Sequence, residues 1–317
     1  MYIGIDIGGT NIKGVLTDKN GKIISSGDTP TPESEKKIDK SIVSLIESLA
    51  SDAKIKKEEI DAIGIGAAGS IDRRKGMVIT SPNILCWKNY PLAANIEKIS
   101  GIKTFLENDA TVACAGFWWE SEGSKFRNFV MVTLGTGIGG GAVIDGRLFT
   151  GQNGSSLEIG HMTIDINGKE CTCGNRGCLE QYASATALVN YTKSNLKKFK
   201  NSSLNKRIKE EKLSAKMIYE EALKKDELAV KSFEYISLHL GAGISNIINI
   251  FNPEAVVLGG GLSNAHKLII PIVKKTVSER AMKGMKEGVK ILAVKDQSII
   301  PALGAAKTAM DRLKHIM

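Results

Sequence analysis

The sequence predicts a soluble α/β protein built from two related halves, and three observations predict it. Two segments share one pattern of strand, glycine turn and strand: Gly4-Ile5-Asp6-Ile7-Gly8-Gly9-Thr10-Asn11-Ile12-Lys13-Gly14-Val15 and Val132-Thr133-Leu134-Gly135-Thr136-Gly137-Ile138-Gly139-Gly140-Gly141-Ala142-Val143. Each continues to a second turn (Lys19-Asn20-Gly21; Asp145-Gly146) and another apolar run (Ile23-Ile24; Leu148-Phe149), as a three-stranded meander does. Beyond the first meander, helical apolar spacing alternates with short buried-strand runs, the pattern of a parallel sheet covered by helices. Finally, 317 residues, 42% hydrophobic and 24% charged, with no apolar run near ~18 residues, describe a soluble chain of two domains.

Each element has its own warrant. Residues 33–50 carry Ile38, Ile42, Leu45, Ile46 and Leu49 at helical spacing, and residues 62–66 return as a buried strand. Residues 91–99 read as a helix, 104–106 as a strand, and 109–119 as a helix whose start is marked by Asn108-Asp109. In the second half, residues 228–251 form a long apolar helix, 255–258 a buried strand, 259–261 a glycine turn, and 271–282 a helix. Residues 303–313 close the chain as a helix. The chemically interesting residues fall at strand ends.

Composition excludes several classes. The net charge of +9 would suit nucleic acid, but much of the lysine excess lies in residues 193–225, mixed with glutamate at helical spacing, which reads as a solvated helix face. No nucleic-acid or membrane partner is expected. No charged leader and apolar segment precede the first strand, so the expected location is cytoplasmic. Three of the five cysteines lie between 171 and 178, too tightly spaced for convenient bridging, and suit metal ligation in a reducing compartment. Cys86 and Cys114 read as ordinary buried thiols.

Chemistry concentrates in residues 158–180. Glu158-Ile159-Gly160-His161 precedes Cys171, Cys173 and Cys178, and Glu180 follows. One imidazole and three thiols are the ligand set of a closed tetrahedral Zn²⁺ site, while the interleaved carboxylates could face a polyhydroxyl substrate. The glycine clusters match no P-loop. Gly135, Gly137 and Gly140 fit a dinucleotide fingerprint, but Ala142-Val143-Ile144 continues as strand where that fingerprint needs a helix. Two glycine hairpins with hydroxyls at Thr10 and Thr136 could still cradle phosphates with backbone N–H groups, and Gly259 to Gly261 could let an adenine ring lie against backbone. A tight turn explains any one cluster; the duplicated pair favours phosphate.

Together these motifs, with Ser81-Pro82-Asn83, Glu107-Asn108-Asp109, Cys171-Thr172-Cys173-Gly174, Gly177-Cys178-Leu179-Glu180 and Leu258-Gly259-Gly260-Gly261, resemble the ROK (repressor, open reading frame, kinase) family along nearly the whole chain. The resemblance implies an α/β fold of two ribonuclease H-like lobes, the sugar-kinase, hsp70 and actin-like fold, with the active site in the interlobe cleft. The expected lobes are residues 1–117, with a terminal helix at 303–317 packing back on them, and residues 118–302, which carry the zinc loop. It further implies an ATP-dependent hexose kinase acting on a 6-hydroxyl, with glucose ahead of N-acetylmannosamine, N-acetylglucosamine or fructose, in a homodimer or homotetramer. A sugar-sensing regulator without kinase activity is the reading from another class. Repressor members carry a helix-turn-helix ahead of the first hairpin, for which five residues leave no room.

By the same resemblance Asp109 is the general base, although Asn-Asp before a helix is also an ordinary N-cap. Gly69, Asn83, Asn108, Glu158, His161 and Glu180 would bind the sugar alongside it. Gly8, Gly9, Thr10, Asn11, Gly135, Thr136, Gly137, Gly260 and Gly261 would hold ATP, with Asp6 orienting Mg²⁺ through water. Lys13 is grouped with them, a solvent-facing side chain being the competing reading. His161, Cys171, Cys173 and Cys178 would hold a structural Zn²⁺. One departure is visible: Gly66-Ala67-Ala68-Gly69 lacks the proline usual before the second glycine.

Overall fold

Alternating isoleucines start the fold. In this computed structural model, which describes residues 1–120, 122–152, 154, 156–295 and 297–315, Ile3, Ile5 and Ile7 of β1 (Tyr2–Ile7) share one fully buried face. β2 (Asn11–Thr17) and β3 (Ile23–Pro30) return antiparallel, Ile12 opposite Ile7 at the glycine turn. The amphipathic α1 (Glu35–Asp52) buries the five apolar residues its spacing singled out. β4 (Ala62–Ala67), buried on both faces, lies parallel to β1. A small antiparallel sheet follows, β5 (Ser70–Asp72), β6 (Met77–Thr80) and β7 (Lys88–Tyr90), which the sequence reading passed over. Strands of three or four residues present too few alternations to register as periodicity. α2 (Leu92–Ser100), β8 (Thr104–Asn108) and α3 (Asp109–Trp119) complete the first sheet, in the order β3-β2-β1-β4-β8.

The second meander is β9 (Phe129–Leu134), β10 (Ile138–Ile144) and β11 (Arg147–Leu148). Four helices then follow: α4 (Glu180–Ala183), α5 (Ala185–Asn195), α6 (Leu204–Arg207) and α7 (Ala215–Leu223). Ser184 and Ser214 cap α5 and α7, each accepting a backbone N–H three residues on. The long α8 (Glu227–Phe251) is capped by Asp226 and closed by Asn252 in the left-handed region, φ +44°. β12 (Ala255–Gly259), α9 (His266–Arg280), β13 (Lys290–Ala293) and α10 (Ile300–Lys314) end the fold, and the second sheet runs β11-β10-β9-β12-β13. Among the described residues no helix is long and apolar enough to cross a membrane.

Two helix starts differ from expectation. α9 begins at His266, five residues before Pro271, because a 3-10 turn at Gly261–Ala265 feeds it directly. Both Pro271 and Lys267, whose carbonyl loses its N–H partner, face water, which makes up the missing bond. α10 begins at Ile300 with Pro301 in its first turn, where a missing N–H costs little.

By contact the chain divides into two compact units. The first joins Met1–Asn128, Gly141–Leu157 and Asp296–Met317; the second joins Phe129–Gly140 and Glu158–Lys295. Within the first, Gly4 and Gly64 let α10 lie directly on the sheet: a Cβ on either would stand 1.8 Å from the carbonyl oxygen of Ala302 or Ala305. No rotamer relieves a clash with backbone, so Gly64→Ala should cost at least ~3 kcal/mol of unfolding free energy. A denaturation midpoint within error of the parent would show that α10 can lift without penalty.

Candidate active site

The first group of site residues gathers at the carboxyl ends of β1, β4 and β8. Asp6 pairs across the sheet with Gly66, and Gly66 with Glu107, so Asn108 and Asp109 emerge one and two residues beyond that row. Asn108, rather than Asp109, is the N-cap of α3: its Oδ1 accepts the N–H groups of Ala110 (2.9 Å) and Thr111 (3.3 Å). Asp109 therefore starts the helix, half-buried, with one carboxylate oxygen accepting the Ala110 N–H at 2.9 Å. Burial, with the Asp109 charge second, pushes the Asp6 carboxyl up to about 7, against the pull of Lys13. Lys13 is only half-buried, and its charge is felt at Asp6.

The first hairpin is tied by Gly8 N–H donating to the Asn11 carbonyl (3.0 Å) and by the Thr31 hydroxyl donating to the Gly8 carbonyl (2.7 Å). Gly9, Thr10 and Asn11 are exposed, and Asn83 lies against Gly9, 3.3 Å from where a Cβ would sit. Gly69 stands at φ +117° with the Thr80 carbonyl oxygen 2.2 Å from its Cβ position, so only glycine fits. Asn108 Nδ2 donates to the Gly69 carbonyl at 3.4 Å, which fixes the loop that lacks the expected proline. Both ends of the Asn108 amide are thus engaged within the fold.

The second group lies in the other unit. Gly135 N–H donates to the Gly137 carbonyl (3.0 Å), and the Thr136 carbonyl accepts the Thr186 hydroxyl (2.7 Å), leaving Thr136 exposed. No atom lies within 4 Å of a Cβ position on Gly135 or Gly261, so the backbone there is open to a ligand. Gly260, at φ +78°, packs on Leu134. A Cβ on Gly137 would meet Glu180 Oε2 at 2.6 Å, so this glycine makes room for the carboxylate. Glu158 is exposed and follows Leu157, held at φ +60°, a costly conformation for a branched side chain.

His161, Cys171, Cys173 and Cys178 present ligand atoms all within 4.8 Å of one another. Cys173 Sγ lies 3.7 Å from Cys178 Sγ, and Cys171 Sγ 3.7 Å from His161 Nδ1. Ligands at ~2.3 Å from a tetrahedral centre stand about 3.8 Å apart, so the cluster has the dimensions of a metal site. Burial pushes Cys178 up to about 12 and raises Cys171, whereas the Asn175 backbone N–H and Cys171 lower Cys173. A bound cation would take these ligands as thiolates, so its binding would release protons and strengthen with rising pH. Glu180 Oε1 accepts the Cys171 thiol at 3.3 Å, so the Glu180 carboxylate touches the cluster. Of the remaining cysteines, Cys114 is buried as expected, but Cys86 is half-exposed.

The ROK family model matches residues 2–312. The chain belongs to the ROK family. A glucokinase of Thermotoga maritima is 36% identical over 98% of this ROK chain and 98% of its own length. A ROK glucokinase of Streptomyces griseus, solved with glucose and AMPPNP, is similar at 31% identity, with a TM-score of 0.81 over 98% of this chain and 99% of that one. The xylose repressor of Bacillus subtilis is also similar, at 31% identity over 98% of this chain and 77% of its own. The fold is the actin-like α/β fold of the ROK sugar kinases.

Sequence reasoning missed two supports of this ROK site. Glu107, 1% exposed, forms an ion pair with Arg73 from the turn after β5, and its other oxygen accepts the Asn108 N–H at 3.2 Å. Gln181 Nε2 donates to Cys171 Sγ at 3.6 Å. A buried carboxylate beside Asn108-Asp109 was the available signal for the first; nothing in the sequence marks the second.

Proposed function

We propose that this chain is an ATP-dependent kinase for the 6-hydroxyl of a hexose, glucose first and N-acetylmannosamine, N-acetylglucosamine or fructose behind it. The observation that carries the reading is the placement of Asp109: Asn108 takes over the cap of α3, and Asp109 stands at the helix start beside Asp6. Glucokinase relatives covering the full length support it.

On this reading Asp109 accepts the proton of the attacking sugar hydroxyl while the terminal phosphoryl group of ATP moves to that oxygen and ADP leaves. Asn83, Glu158, His161 and Glu180 hold the other hydroxyls, and a missing hydroxyl leaves one of these groups unpaired. The Gly8–Asn11 and Gly135–Gly137 hairpins offer backbone N–H groups to phosphate oxygens. Mg²⁺, when bound, would neutralise charge on the phosphates. Zn²⁺ in the His161, Cys171, Cys173 and Cys178 cluster would be structural, fixing His161 and, through Cys178, the chain that carries Glu180 two residues on.

ADP release should rise on addition of one hexose from a panel. No release with any sugar would favour the regulator reading raised by the xylose repressor relatives, and release that ignores every sugar would favour an ATPase with no hexose as acceptor.

Asp6 predicts a pH dependence. Its folded value of about 7 lies above the ordinary 3.8, so the folded protein holds this proton more tightly than the unfolded chain. That contribution to stability is complete below about 3.8 and is lost as pH rises through 7. Cation binding has the opposite sign, since it needs the carboxylate. The Mg²⁺ concentration for half-maximal activity should rise about tenfold per pH unit below 7, and Asp6→Asn should flatten that slope. An identical slope in both proteins would remove Asp6 from the metal's surroundings.

A further inference from the structure

The β8 edge of the first sheet carries a cationic feature that shares only Arg73 with the site described above. β8 is the last strand of its sheet, and against it lies a cavity of about 520 Å³ walled by α2, the turn after β5 and the end of α10. Six cations line it: Arg73, Arg74, Lys75, Lys98, Lys103 and Arg312. Glu97 is the one acid among the lining residues.

Three of the cations are spoken for. Lys103 pairs with Glu97 at 3.1 Å, Lys75 lies 3.7 Å from Asp72, and Arg73 pairs with Glu107. Among the described residues the other three have no carboxylate within salt-bridge distance. The Arg74 guanidinium donates to the Gln152 carbonyl at 3.1 Å, and its backbone N–H to Asp72 Oδ1 at 3.1 Å. Arg312 donates to the carbonyls of Leu106 (2.9 Å) and Arg73 (3.0 Å), with its guanidinium carbon 4.7 Å from the centre of the Phe105 ring. Lys98 has no ionic partner among the described residues. Six cations on one concave wall, against Glu97 and the buried Glu107 that are already paired with Lys103 and Arg73, cost free energy that an anion would relieve. Burial and the neighbouring Arg73 already hold the Arg312 guanidinium below its ordinary value.

Size and chemistry narrow the ligand. A cavity of this volume is that of a small-molecule site, and a guanidinium braced on backbone and an aromatic ring suits bidentate phosphate contacts. We propose that this cavity binds a small phosphate-bearing anion, contacted by Arg74, Lys98 and Arg312. The shared chemistry is a phosphoryl group of two negative charges; a sugar phosphate and a free condensed phosphate are its two sources.

Calorimetric titration with inorganic pyrophosphate and, separately, glucose 6-phosphate tests this on the full chain with AMPPNP present. Binding should weaken at least about tenfold in the Arg74→Ala/Lys98→Ala double variant, and wild-type binding should weaken as salt rises. Both substituted side chains are at the surface, and an unchanged thermal midpoint establishes that the variant folds. Lys216→Ala, on α7 of the other unit, should bind as the parent does. Tighter binding of glucose 6-phosphate identifies a sugar phosphate as the source, and tighter binding of pyrophosphate a condensed phosphate. Equal affinity in parent and double variant, or no binding to the parent at millimolar ligand, overturns the proposal. Since the readout is binding, it stands or falls apart from kinase activity.

Discussion

Asp109→Ala should lower kcat by about a thousandfold while the affinity for sugar changes only a few-fold, the range expected when a positioned general base is lost. The geometry makes the experiment clean in one respect. Because Asn108 carries the two N-cap hydrogen bonds of α3, removing the Asp109 carboxylate leaves the cap in place. It does remove one acceptor for the Ala110 N–H, which Asn108 also serves. A second consequence is specific to this pair of carboxylates. Asp109 is one of the charges that hold Asp6 up, so the variant should titrate Asp6 at lower pH, as carboxyl-carbon NMR would record. A variant retaining turnover within a few-fold of the parent would strip Asp109 of its assigned role. An unmoved Asp6 would show that burial alone accounts for its raised value.

Cys173→Ser should release the bound cation and raise the KM for sugar by roughly ten- to a hundredfold, with a smaller fall in kcat. Cys173 is the exposed member of the cluster and the one whose thiol is held below its ordinary value, so substitution there opens little space in the core. The effect should travel through the ligands themselves: His161, whose Nδ1 lies 3.7 Å from Cys171 Sγ, and Cys178, two residues before Glu180. If the cation fixes His161 and Cys178, losing it frees both the imidazole and the chain that carries Glu180. Elemental analysis of the purified variant reads the metal, and calorimetry with the sugar reads the affinity. Full metal content with unaltered KM would refute the ligand assignment; lost metal with unaltered KM would refute the coupling to Glu180. Chelation of the parent protein should reproduce the variant.

Much of the site could be read from residue order because its parts are local. A glycine hairpin between apolar runs, or one histidine and three cysteines within 18 positions, needs no distant partner to be noticed. The start of α3 was legible for the same reason, yet the division of labour within it was not. Asn108 and Asp109 are both good N-caps, and only the φ and ψ of Asn108, −70° and 146°, decide which one stands outside the helix. The strands β5, β6 and β7 escaped because each is too short to show alternation. The start of α9 was misplaced because Pro271 looks like a helix start and here sits inside one, on its wet side.

Sequence alone determined the duplicated meanders, the run of α/β elements, the candidate base, the metal-binding set and the family. The meanders, the elements and the metal-ligand candidates rest on local spacing, whereas the candidate base is what the family resemblance along nearly the whole chain implies. Tertiary structure alone decided that Gly4 and Gly64 seat α10 on the sheet, that Gly137 makes room for Glu180, that Arg73 holds Glu107 behind Asp109, and that three cations meet at the edge of β8. Each joins residues tens to hundreds of positions apart. A side chain's charge and size are written in the sequence, but the neighbour against which they act is chosen by packing.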